Sequence, residues 1–534
     1  MLKYPAAKFA LPVGILLLGL VLRLWNINFG LPHSWYADEP EIGEPAIKYT
    51  YELKNILRNN DIYKLIPESY VYGTFPVYFY TALAMVFSKT LGILGIAFAK
   101  MDLYVYMRVI NALISFAMIP VFYLVLRGLG LAKQPPVAIA GVFLMVFNWK
   151  LIVHAHYLNH DIVITLLLLL ANLFYLRYLR CRQTSNIPEG DTVNTVLFAL
   201  FFGLAVSTKI TVLLTFPVYL LVFLSNKDFR NLCATIFTVV GVFIVTNPFA
   251  WVFMGDFVGR LLEMRTTEAG MVFDSVNYSP FKYLSALAWV LTLPVFLISA
   301  VGITRTVKEK TSYKKQFYIV MALQIVFYLV FFSAQSRRVD RWMLPIIPNL
   351  MLFSLIALEL FLAAEKKRAF NLLGVLVIAG TGLYYLYFPL ILLSQFQRNT
   401  PKSGAYIWAK KNLPPLSTKF GLTEEGLDPL NKLFVSTIRQ YNAYESKGGQ
   451  FMYPPDPLLY DYILIASRPM SWTRNPEVIK KYPHYASRWR DFNFTLNDST
   501  KFSKLKSFEL SEPNLIPLSN VSIYQRKAER LLLE

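Results

Sequence analysis

Three groups of polar residues interrupt a largely apolar chain, and each combines residue types that could do chemistry. The first is Trp35-Tyr36-Ala37-Asp38-Glu39-Pro40, two adjacent carboxylates just after the first long apolar run. A positioned carboxylate can take a proton from a nucleophile. Equally, Asp38 and Glu41 fit an N-cap and its capping-box partner, which needs no function. The second is His154-Ala155-His156-Tyr157-Leu158-Asn159-His160-Asp161. Its histidines could touch substrate or ligate a metal, while Asp161 could simply cap the following helix. The third is basic: Lys209 in Ser207-Thr208-Lys209, and Arg337, Arg338 and Arg341 in Ser336-Arg337-Arg338-Val339-Asp340-Arg341-Trp342. Arginine suits bidentate phosphate binding. The plainer reading is a lipid headgroup contact or a local pair such as Asp340 with Arg341.

Carboxylates and cations gathered in this way suit a reaction in which a phosphate leaves. The cations neutralise the departing phosphate and a carboxylate deprotonates the incoming nucleophile.

The elements that must position these groups are membrane helices. Of 534 residues, 55% are hydrophobic and only 16% are charged, against about a quarter charged in soluble domains. The net charge of +20 does not indicate nucleic acid, because the basic residues flank apolar segments and read as topology signals. Apolar stretches long enough to cross a bilayer lie near 9–27, 107–127, 136–153, 162–180, 193–208, 210–225, 231–250, 283–304, 316–334, 342–363 and 370–393. The first follows Lys3 and Lys8 with no cleavage-like site after it, so it reads as an uncleaved helix. A twelfth stretch, 75–98, is decided by charge. With eleven spans all six basic groups, from Lys3/Lys8 to Lys366/Lys367/Arg368, share the cytoplasmic side; a twelfth crossing would put every group after the first outside. The expectation is that 75–98 dips into or lies along the outer leaflet.

The fold expected is thus an all-α polytopic bundle of about eleven transmembrane helices, residues 1–393, with a large first outer loop (28–106). Residues 40–58 in that loop place Ile42, Ala46, Tyr49, Leu53, Ile56 and Leu57 on one face, the pattern of a juxtamembrane helix in the interface. A small mixed α/β domain, 394–534, follows outside. Cys181 and Cys233 fall on the cytoplasmic side, with no disulfide framework and no CxxC pattern. The N-terminus is cytoplasmic, and the multi-pass chain sits in a plasma (inner) membrane.

Six segments in order resemble the GT-C glycosyltransferases that use polyprenyl-phosphate sugars, in the branch of protein O-mannosyltransferases and lipid A aminoarabinose transferases. They are Tyr36-Ala37-Asp38-Glu39-Pro40, Tyr72-Gly73-Thr74-Phe75-Pro76-Val77-Tyr78, Arg108-Val109-Ile110-Asn111-Ala112-Leu113, His156 to Asp161, Gly203 to Lys209 and Arg341 to Pro348. The resemblance implies Asp38 as general base of an inverting displacement, with Glu39 and Asp161 assisting. It implies Lys209, Arg337, Arg338 and Arg341 as donor phosphate-binding residues, and His156, His160 and Tyr72 as substrate-binding. Thr74-Phe75-Pro76 lacks the lysine that the family often carries there, so the phosphate grip differs. The implied partners are a polyprenyl-phosphate sugar donor, a glycolipid, polysaccharide or protein acceptor, and membrane lipid. No particular cofactor is implied; a divalent cation stays open. The competing readings are a transporter or flippase for a lipid-linked or anionic substrate, which would show discontinuous mid-membrane helices, and a non-catalytic subunit of a glycan-assembly complex.

Overall fold

The apolar runs become helices because a chain in lipid must satisfy its backbone polar groups internally. The computed structural model describes residues 5–31, 39–67, 70–184, 188–267, 281–306, 308–363, 368–413, 419–422, 436–438, 456–467, 471, 474–510, 512–516 and 518–527. In chain order the bundle begins with α1 (Pro5–Leu24), α2 (Glu39–Arg58), α3 (Phe75–Ile93), α4 (Lys100–Leu129), α5 (Pro135–Phe147), α6 (Trp149–Ala155), α7 (His160–Thr184) and α8 (Pro188–Thr208). It continues with α9 (Phe216–Ser225), α10 (Phe229–Thr246), α11 (Pro248–Val252), α12 (Met254–Thr267), α13 (Lys282–Leu291), α14 (Leu293–Thr306), α15 (Ser312–Ser333), α16 (Ile347–Ala363) and α17 (Arg368–Phe396). Helices occupy all eleven expected stretches. Among the described residues, six are long and apolar enough to cross a membrane, or up to eight if each of two bent pairs is one span.

The two bent pairs depart from the expected continuous spans. α5 and α6 are bent by 45° at Asn148, and α13 and α14 by 108° at Thr292. Pro294 explains the second break: its ring excludes the carbonyl of Val290, four residues back. That carbonyl accepts instead from Asn148 Nδ2 at 3.1 Å, so each break serves the other. Asn148 also caps α6 through Leu151 N. The carbonyls of Met145 and Val146, left over at the end of α5, accept from the fully buried Arg23 at 2.9 and 3.1 Å.

Within the 75–98 stretch, α3 runs unbroken from Phe75 to Ile93 and is not among the spanning candidates. It packs with α2 and the start of α4. Ile42 and Ala46 of α2 meet Tyr80 and Ala84 of α3 and Leu103, Tyr104 and Met107 of α4 in one buried cluster. The apolar face of α2 therefore covers protein rather than lying free on lipid, although Leu57, expected on that face, is exposed. α4 begins seven residues earlier than the expected span, where Asp102 accepts from Ala99 N at 2.7 Å and closes its first turn.

The C-terminal region holds α18 (Pro401–Asn412), α19 (Pro476–Lys481) and α20 (Pro483–Asn497). Its five strands are β1 (Lys419–Leu422), β2 (Ser436–Ile438), β3 (Tyr462–Ala466), β4 (Phe502–Phe508) and β5 (Val521–Arg526). They form one mixed sheet in the order β2-β1-β3-β5-β4, in which β1 runs parallel to β2 and β3, and β5 antiparallel to β3 and β4. Side chains on β3 alternate between faces, as a strand requires. Leu464 packs with Ala405 and Ala409 of α18, while Ile463 and Ile465 pack with Tyr485, Trp489 and Phe492 of α20. The sheet region is tied to the bundle through Gln395 on α17, which donates to Pro513 O and accepts from Leu515 N. Leu510, Leu515 and Ile516 join the bundle's own core.

Candidate functional site

Glu39 opens α2, and both of its carboxylate oxygens meet Arg108 of α4, at 2.6 Å each. Neither side chain has accessible surface. The same guanidinium donates to Ile27 O and Phe29 O beyond α1, and Glu39 Oε1 also receives Leu158 N at 3.2 Å. One ion pair thus binds the end of α1, the start of α2, α4 and the loop before α7. Asn111, one turn further along α4, donates to His154 O, Ala155 O and Tyr157 O, while Tyr80 OH donates to its Oδ1. The two residues hold the His154–Asp161 segment in a fixed path. Asp38 lies outside the described residues.

Asp161 sits in the first turn of α7, where the helix dipole favours a carboxylate. It is almost fully buried, and two of the sequence-selected cations converge on it. Lys209 Nζ lies 3.0 Å from Oδ1 and Arg341 Nε 3.4 Å from Oδ2. Lys209 also lies over the Trp342 ring, 5.7 Å from its centroid. Arg341 and Trp342 belong to a 3-10 turn, Asp340–Ile346, that leads into α16. Asp340 accepts from Arg338 Nε at 2.8 Å. Arg337, Arg338 and Arg341 are all part-buried on this one turn and its approach.

Tyr72 reaches the same place because Gly73 does. Gly73 has φ +130°, and a Cβ there would stand 2.3 Å from Ser207 O. The backbone just before α3 therefore runs against the end of α8, immediately before Lys209. Thr74 N donates to Asn247 Oδ1 at 2.8 Å and anchors the contact. Tyr72 then faces His160, their rings 6.2 Å apart. The structure brings Tyr72, His160, Asp161, Lys209 and Arg341 into one cluster, with Arg338 and Asp340 at its edge.

His156 lies apart from this cluster. Expected to touch substrate, it is fully buried, stacked on Phe396 at 3.9 Å, with its ring nitrogens 2.8 Å from Ile152 O and 2.9 Å from Trp25 O. Burial pushes its pKa down to about 4, against the two carbonyls that favour the charged ring. Its neighbours make it a tie between the loop, α1 and α17, with no face left for a substrate. Among the described residues no group of three or more His, Cys, Asp or Glu could hold a metal ion.

Reading the sequence for function did not single out Arg23, Asn111 or Lys150. Arg108 was visible only as part of a motif. A cation inside an apolar run is the signal that Arg23, Arg108 and Lys150 share, since a buried charge needs a partner elsewhere in the fold.

The family described as dolichyl-phosphate-mannose-protein mannosyltransferase matches residues 13–230. Among solved structures, the chain is similar to ArnT from Cupriavidus metallidurans bound to undecaprenyl phosphate, with TM-score 0.53 and 14% identity over 97% of this chain and 98% of that chain. It is also similar to the Archaeoglobus fulgidus oligosaccharyltransferase tethered with an acceptor peptide, with TM-score 0.52 and 12% identity over 96% of this chain and 76% of that chain. The apo form of ArnT gives TM-score 0.50 and 17% identity over 83% of this chain and 88% of that chain. No curated protein matches the chain. At these identities the structural likeness is one of fold.

Proposed function

We propose that this chain, a membrane glycosyltransferase of the GT-C type, moves one sugar from a polyprenyl-phosphate carrier to an acceptor at the outer face of the membrane. The observation that carries the reading is the convergence of Lys209 and Arg341 on Asp161, beside Tyr72 and His160. A carboxylate that holds two cations at a membrane-helix end organises a seat for an anion. In a lipid setting the natural anion is a lipid phosphate. The solved relatives that bind undecaprenyl phosphate or an acceptor peptide support the same class of substrates.

In this mechanism Asp38 accepts the proton of the acceptor hydroxyl or amine as that atom bonds to the sugar's anomeric carbon. The bond from that carbon to the phosphate oxygen breaks, and its electron pair leaves with the phosphate. A single displacement inverts the anomeric centre. Lys209, Arg337, Arg338 and Arg341 neutralise the leaving group as its charge develops. Glu39 works through position: clamped by Arg108, it anchors the chain one peptide bond after the base. Asp161 orients the two cations. Tyr72 and His160 line the sugar's side.

Eleven spans, a cytoplasmic N-terminus and an extracytoplasmic 394–534 region complete the proposal, supported by the positions of the basic groups. The two broken spans are the feature a transporter would show. Here the breaks close on each other through Asn148 and Val290.

The test is Asp38→Asn in purified full-length protein. Loss of transfer by at least about a hundredfold, with polyprenyl phosphate still co-purifying by lipid mass spectrometry, is the expected result. Full transfer by the variant removes Asp38 from the mechanism.

A further inference from the structure

Lys150 stands on α6, two residues after the break at Asn148, and only 9% of it is accessible. Among the described residues it makes no hydrogen bond and no ion pair. Its contact is with the Trp149 ring, 5.1 Å from the ammonium. A buried ammonium without a partner is expensive, by several kcal/mol after relaxation, and structures retain such groups where something else neutralises them.

The charged groups that act on Lys150 are Asp340, Arg341 and Arg338. Asp340 is already paired with Arg338, and Arg341 with Asp161. The 3-10 turn Asp340–Ile346 packs against α6, α7 and α13, so it joins the helix that carries Lys150 to the helix that carries Asp161. Lys282, at the start of α13, is also buried and donates to Gln335 O on the approach to the same turn. Cations thus outnumber carboxylates around this turn, and Lys150 makes no ion pair among the described residues.

We infer that Lys150, reaching from the helix break, completes a phosphate-binding site with Arg341 and Lys209, and takes a lipid-linked phosphate monoester. This inference rests on the function proposed above and assigns a further binding residue to it. Lysine fits the role as a compact point charge on a flexible stem, which can follow a phosphate between its bound and leaving positions.

The experiment uses purified full-length protein in detergent and farnesyl phosphate as the probe, read by thermal shift and by equilibrium titration. Farnesol, inorganic phosphate and phosphatidic acid are the comparison ligands. For Lys150→Met, removal of a buried unpaired charge raises the unliganded melting temperature, while farnesyl phosphate binds at least about tenfold more weakly than to the wild type, equivalent to about 1.4 kcal/mol. Lys150→Arg retains binding to within about threefold, because the charge is kept. A merely structural lysine would give the opposite sign of melting shift in Lys150→Met. Unchanged farnesyl phosphate affinity in Lys150→Met, with affinity lost in Lys209→Met, overturns the role of Lys150 and leaves the proposed function standing. A wild type that binds farnesol as well as farnesyl phosphate overturns the proposed function itself. Competition by inorganic phosphate that is weakened in Lys150→Met supports a phosphate seat independent of the lipid tail. Displacement of farnesyl phosphate by an equal concentration of phosphatidic acid makes the occupant an ordinary headgroup and overturns the assignment to a donor lipid.

Discussion

Arg108 holds Glu39 through two parallel contacts of 2.6 Å, with both side chains removed from solvent. Removing one partner of such a pair leaves an uncompensated buried charge, at about 3–5 kcal/mol. Arg108→Met is therefore expected to unfold at markedly lower denaturant or temperature. In the double variant Arg108→Met/Glu39→Met the charge is gone from both sides, and much of that stability returns. Transfer activity does not return with it, because α2 and the loop before α7 are no longer tied together. Melting curves and a transfer assay on the same three proteins check this; recovery of activity in the double variant would deny the pair its positioning role.

Gly73 makes the narrowest backbone contact at the candidate site. Gly73→Ala adds a Cβ 2.3 Å from Ser207 O at φ +130°. The loop must retreat, and Tyr72 moves off His160. Gly95 is the control: its φ is also positive, at +66°, but a Cβ there meets nothing within 4 Å. Gly95→Ala is expected to lose only about 1 kcal/mol of stability and no activity, whereas Gly73→Ala loses most of its transfer rate. Equal activities for the two variants would remove the loop contact from the site.

His156 gives the protein a pH dependence of known sign. Its pKa is about 4 in the folded chain and about 6.5 in an unfolded one. A depressed folded value means that the unfolded chain binds the proton first. Stability is therefore full above pH 6.5 and falls as pH drops towards 4, by up to about 3 kcal/mol across the window. His156→Gln is expected to be less stable at pH 7.5 yet to lose less between pH 6.5 and 4.5. Melting temperatures of both proteins across that range check it; parallel slopes would assign the dependence to other groups.

Much of this molecule is legible without coordinates. Apolar length marks the helices because the bilayer leaves no other way to satisfy a backbone. Asp161, Lys209 and Arg341 were picked out as polar residues where an apolar chain has no need of them, and they meet. The pattern of α2 showed which face would be buried. It did not show that α3 and α4 would bury it, since periodicity registers an apolar face and not its partner.

What the sequence determined by itself was the membrane class, the helical elements, the family resemblance and the short list of polar groups at helix ends. These follow from local composition and order along the chain. Tertiary structure alone decided which of those groups touch. Arg108 and Glu39, 69 residues apart, Asn148 and Val290, 142 apart, and Lys209 and Asp161, 48 apart, become partners through helix packing. It also separated His156, buried among carbonyls, from His160, four residues on and facing Tyr72. A side chain's role at such a site depends on which helix passes opposite it, and no local pattern carries that information.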